Sequence, residues 1–207
     1  MTPENREPRY APLDASRLKA LAHPLRVQLL DALSTYGPAT ASSLADRLGE
    51  SSGATSYHLR QLEKSGFVRE DATRGSARER WWERIPGPLA VDVAGLPDDS
   101  AERAAGELIL AEWSRTRRRL LDDFMARGER LLPPEWLAAS DITTINLRLT
   151  SEQLAALNRE LNDVAEAYKE RYRGQQGGGV RAVELQMNLF PVVDAGRSDV
   201  CGSEKNS

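Results

Sequence analysis

The run LADRLGESSGATSYHLRQLEKSGFVREDATRGSARERWWER, residues 44–84, decides the fold. Gly49 and Gly66 punctuate it. Before Gly49, Leu44, Ala45 and Leu48 recur at helical spacing behind Thr40, a side chain suited to cap a helix. After it, Ser51 or Ser52 caps a second helix whose buried face is Thr55, Leu59 and Leu62, and Gly66 ends that helix. Phe67 and Val68 open a strand, residues 73–76 make a turn, and residues 80–85 return as the partner strand. Two short helices joined tightly and followed by an arginine-rich hairpin predict a helix-turn-helix with a basic wing.

Working outward, residues 1–12 contain three prolines and few apolar groups, which predicts an arm without fixed structure. Asp14 caps a helical pattern of Leu18, Leu21, Leu25, Leu29, Leu30 and Leu33. Pro24 either splits that pattern or occupies the first turn of a second helix, and Gly37-Pro38 ends it. The predicted DNA-binding domain is therefore 13–86, three helices and a hairpin in winged-helix order. Pro86, Gly87, Pro88, Gly95 and Pro97 mark 87–99 as a linker.

The expected fold class is α+β and mainly helical, the winged helix being followed by a long helix and a small C-terminal α/β unit. Region 100–194 is assigned to dimerisation or effector binding. A helix spans about 100–130, stopped by Pro133-Pro134, and its Arg115, Arg117, Arg118 and Arg119 read as a solvated surface rather than a second DNA contact. Ile145, Leu147 and Leu149 alternate as in a strand, and so do Val183, Leu185, Met187 and Leu189. Between them Thr150 and Gln153 form a capping box. The helix that follows carries Leu154, Leu157, Leu161, Val164, Tyr168 and Tyr172, a narrow seam of the kind that meets another helix. Residues 195–207 are expected to be a disordered tail.

Composition excludes several classes. Among 207 residues there are two histidines and one cysteine, Cys201, so neither an internal disulfide nor a thiolate metal site is expected. There is no long apolar run and no secretory leader pattern, and a cytoplasmic location is the expectation. Catalytic triads and phosphate-cradling loops are missing, and Gly177–Gly179 reads as a flexible turn, so neither enzymatic activity nor a cofactor is expected. The net charge of −3 leaves any affinity for nucleic acid to local placement of cations.

Such placement exists. On the helix beginning near Ser52, the positions off the core face are Ser52, Gly53, Ala54, Ser56 and Tyr57, with Arg60 one turn on. Small residues admit the helix to the groove floor, hydroxyls bond base edges, and Arg60 suits a phosphate or a guanine. Arg74, Arg78 and Arg80 on the hairpin suit the adjacent backbone or minor groove. His58 either bonds the DNA backbone or ties the helix to its own domain, while His23 reads as structural.

The runs LKALAHPLRVQLLDAL (18–33) and GESSGATSYHLRQLEKSGFV (49–68) resemble the ArsR-type winged-helix repressors of bacteria, a likeness covering about residues 14–85. It implies a homodimer whose recognition helices enter successive major grooves of a palindromic operator in double-stranded DNA. It also implies DNA contact by Ser52, Gly53, Ser56, Tyr57, His58 and Arg60. The cysteine pair or clustered His and acidic ligands of metal-sensing members are missing here, so no metal site is expected. The expected function is a sequence-specific transcriptional regulator, a repressor, with no membrane partner and a small-molecule effector left open. The alternative is a winged-helix protein-interaction module without DNA binding. Residues 140–190, with Trp113 or Trp136 nearby, either line a ligand pocket or form dimer core.

Overall fold

The computed structural model describes residues 11–74, 79–87, 89–175 and 177–193. The chain divides into two compact units, one running to Ser140 and including 182–184, the other holding 141–181 and the residues from 185 on.

In the first unit the local rules act as read. The Asp14 carboxylate accepts from the Arg17 N–H (2.8 Å) and starts α1, Ala15–Leu21. The chain then breaks, and α2, Pro24–Tyr36, restarts with Pro24 in its first turn. Both readings of Pro24 thus hold together, because the first helical position needs no N–H. Gly37, at φ +81°, closes α2 in a backbone region that favours glycine. A two-residue strand β1, Ala39–Thr40, follows and leads into α3, Ala41–Leu48, capped by Thr40 in a reciprocal pair with Ser43. Gly49 takes the left-handed conformation at the end of α3, and Ser51 caps α4, Ser52–Lys64, by accepting from the Ala54 N–H at 3.2 Å.

Strands β2, Val68–Glu70, and β3, Trp81–Arg84, form the hairpin. The sheet order is β1-β3-β2, antiparallel throughout, with Trp82 opposite both Ala39 and Glu70. The strand β1 is an addition to the sequence reading. The core gathers Leu21, Leu29, Leu30, Leu59, Leu62 and Trp82, all almost inaccessible to solvent.

The long helix α5, Ala101–Leu131, packs on α1 and α2 and adds Ala105 and Ile109 to that same core. Gly106 admits the 89–96 segment against α5, since a Cβ there would lie 2.6 Å from Val93 Cγ1. Residues 89–96 are held against the unit. The Leu13 N–H donates to the Ala90 carbonyl (2.9 Å), and Arg103 Nη1 donates to the Val93 and Leu96 carbonyls at 3.2 and 3.0 Å. A short helix, α6, Pro134–Ala138, follows.

Two carboxylates lie where α2 meets α5. Glu112, 3% exposed, accepts from Gln28 Nε2 at 3.2 Å and pairs with Arg115. Burial pushes Asp31 up to about 6, against the opposing pull of Thr116 and Arg117.

The second unit centres on α7, Ser151–Arg171, with the expected capping box: the Gln153 N–H donates to Thr150 Oγ1 at 3.3 Å and the Thr150 N–H to Gln153 Oε1 at 2.9 Å. The two alternating segments expected as strands, 145–149 and 183–189, carry no strand pairing. Alternation states which face of a strand would be apolar, but a strand exists only through hydrogen bonds to a neighbour. No such neighbour is present among the described residues. Among the described residues of 141–193 none is buried, and Ile145 and Val183 stand 72% and 76% exposed.

Candidate nucleic-acid interface

The pair α3–α4 with the hairpin β2–β3 places the predicted residues on the outside of the first unit. Thr55, Leu59 and Leu62 anchor α4 in the core, as the spacing predicts. That anchoring fixes which side faces out. Ser52 and Gly53 are exposed in the first turn, Ala54 and Ser56 are half-buried, and Tyr57 and Arg60 are exposed. A Cβ on Gly53 would touch nothing, so this glycine relieves no crowding within the protein and leaves a low spot on the helix surface. Arg60 makes no ion pair among the described residues, which leaves its guanidinium available to an anion.

The wing differs from the reading in one respect. Its arginines are expected as open cations, yet Arg74 Nε sits 3.1 Å from Asp71 Oδ2, and Arg80 Nη1 sits 3.7 Å from Glu70 Oε2. Arg69 and Glu83, directly across the ladder, close at 2.6 Å. Asp71 lies three residues before Arg74, Glu83 stands opposite Arg69 in register, and Glu70 reaches Arg80 across the hairpin, two positions from its own partner Trp82. All are solvated, so each is worth at most about 1 kcal/mol and exchanges readily for a phosphate. The Thr73 N–H and hydroxyl both donate to Asp71 Oδ1, which holds the Asp71 carboxyl below its usual range. Arg78 lies outside the described residues.

His58 faces inward. Its ring stacks on His23 with centroids 4.2 Å apart, and Tyr57 meets it edge-on at 5.1 Å. Nδ1 of His58 is buried without a hydrogen-bond partner among the described residues. Burial, then the neighbouring His23 and Arg26, lower its pKa and favour the neutral ring. His23 caps α2, its Nδ1 accepting the Leu25 N–H at 3.2 Å. The stack brings together two positions 35 residues apart, which weighing each histidine alone does not reveal. Arg26, next to both, is absent from the sequence reading. The signal available was its place one turn after His23 on the polar side of α2.

Elsewhere, no group of acidic, histidine or cysteine side chains among the described residues is arranged to hold a metal ion. Among those residues no helix is long and apolar enough to cross a membrane.

Comparison with known proteins agrees on the reading head. Residues 21–71 match the family model described as "Helix-turn-helix domain". Solved structures with similar chains include the YusO protein from Bacillus subtilis, 15% identical, covering 73% of this chain and 82% of that one with a TM-score of 0.31. The transcriptional regulator Tm0710 from Thermotoga maritima is 11% identical, with coverage of 78% and 89% and a TM-score of 0.30. Wild-type MarR from E. coli is 14% identical, with coverage of 72% and 88% and a TM-score of 0.30. No curated protein matches the chain in sequence.

Proposed function

We propose that this chain is a sequence-specific DNA-binding transcriptional regulator, a cytoplasmic homodimeric repressor of the ArsR type that does not sense metal. The observation that carries the reading is the helix-turn-helix over 21–71 with an outward α4 face of Ser52, Gly53, Tyr57 and Arg60. Small and hydroxyl-bearing residues at the start of the helix suit base edges, and Arg60 farther along suits a phosphate or guanine. Selection of duplexes from a random pool by the full chain, followed by gel shift on the promoter of its own operon, tests it. Enrichment of a palindromic site with salt-sensitive binding is expected. Ser56→Ala is expected to change base preference at one or two positions, by about tenfold. A chain that enriches nothing at low salt is not a DNA-binding regulator.

One observation favours the protein-interaction alternative: the paired wing arginines Arg74 and Arg80, in a chain of net charge −3. Such a module binds a partner protein and shows no affinity for duplex at any salt.

The dimer reading is supported by the second unit. Leu161, Val164, Tyr168 and Tyr172 of the α7 seam are 39–60% exposed, an apolar stripe suited to a second copy of itself. A side chain of this kind contributes about 1.5–3 kcal/mol when fully buried. Leu161→Asp with Val164→Asp is therefore expected to weaken dimerisation by about a hundredfold or more, read by sedimentation equilibrium. A double variant that stays dimeric places the interface elsewhere.

A further inference from the structure

Arg26 is a half-buried cation that makes no ion pair among the described residues. It stands in the first turn of α2, its N–H on the His23 carbonyl at 2.9 Å, and its Nε is buried without a partner among the described residues. The buried Nε–H left unpaired keeps its desolvation cost, which an acceptor brought to that edge of the guanidinium relieves. Its surroundings are aromatic and polar rings. His58 lies beside it, His23 stacks on His58, and the exposed Tyr57 stands over the same ring. Glu50, before α4, is the acid that acts on this group, and it is exposed.

We propose that Arg26, with His58 and Tyr57, forms a phosphate-binding site that clamps the DNA backbone at the edge of the groove entered by α4. The inference rests on the DNA-binding reading above. It assigns α2 to the interface and gives the His58 stack a role: the paired imidazoles lie beside Arg26, and the exposed Tyr57 next to them offers its hydroxyl to the same phosphate. Arginine suits the task, since its planar fork matches two phosphate oxygens at once. A duplex phosphate brought next to His58 also favours the imidazolium, opposing the burial, His23 and Arg26 that hold the ring neutral in the free chain.

The test uses the full chain and a fluorescent duplex of unselected sequence, with affinity measured across a salt series. Arg26→Gln is expected to weaken binding about tenfold at the lowest salt and to reduce the log–log salt slope by about 0.9, one phosphate contact. Arg26→Lys is expected to recover the slope but only part of the affinity. Equal affinity and slope for wild type and Arg26→Gln overturns the clamp and leaves the regulator reading standing. No salt-dependent binding by the wild type overturns both. Should Arg26→Gln unfold, the wild-type chain decides by NMR titration of His58. A pKa that rises on adding duplex supports the clamp, and one that does not move overturns it.

Discussion

Replacing Trp82 by alanine is expected to destabilise the first unit by about 3–5 kcal/mol, the range for deleting a large buried aromatic. The site has no way to collapse around the loss. Trp82 is 2% exposed and belongs to the central strand of the sheet, opposite Ala39 of β1 and Glu70 of β2. Its ring belongs to the same cluster as Leu29, Leu33 and Leu62, so the cavity would border α2, α4 and all three strands. At about 2–4 °C per kcal/mol for a unit of this size, thermal unfolding by circular dichroism should begin roughly 10 °C lower. Trp82→Phe keeps most of the volume and is expected to cost about 1–2 kcal/mol. The neighbouring Trp81 points to the other face of the strand and is half-buried, so Trp81→Ala should cost clearly less than Trp82→Ala. Equal losses at the two positions would show that β3 does not sit in this register. The experiment bears on function too, since β3 carries the wing back to α2.

What the sequence discloses here follows the reach of each physical rule. Asp14, Thr40, Ser51 and Thr150 are read as caps, or as candidates for one, because a cap is decided within four residues. The turn between α3 and α4 is equally local, a glycine at φ +70° followed by a capping serine. The strand β1 escapes notice because two residues have no periodicity, and what makes them a strand is Trp81 and Trp82, more than forty positions away. Distance along the chain also hides Arg26, whose meaning comes from the His58 ring on another helix. In 145–149 and 183–189 the alternation is real, yet no strand partner meets them among the described residues. Of the wing arginines, Arg74 meets a local acid, Asp71, three residues before it, whereas the Arg80–Glu70 pair exists only once the hairpin folds.

Asp31 supplies the second large expected effect. Its carboxyl sits on α2 facing α5, with Trp113 and Thr116 within hydrogen-bonding reach and Arg84, Arg117 and Glu184 as charged neighbours. Burial dominates and raises its pKa from 3.8 to about 6. The folded chain then binds this proton more tightly than the unfolded chain. Below about pH 4 both states hold it and no difference arises. As pH rises through 4 to 6 the unfolded state releases the proton first, and stability falls by up to about 3 kcal/mol by pH 7. Asparagine has nearly the same shape, carries no charge at any pH, and its Oδ1 still accepts from Trp113 or Thr116. Asp31→Asn is therefore expected to match the wild type near pH 4 and to exceed it by about 2–3 kcal/mol at pH 7, measured by urea unfolding at several pH values. Glu184→Gln should give a smaller gain of the same sign, because a like charge is removed from the vicinity of Asp31. The contrary result, Asp31→Asn weaker than wild type at pH 7, would mean that Arg84 and Arg117 hold a charged carboxylate more firmly than burial opposes it. Asp31 would then serve as an ion-pair anchor between α2 and α5.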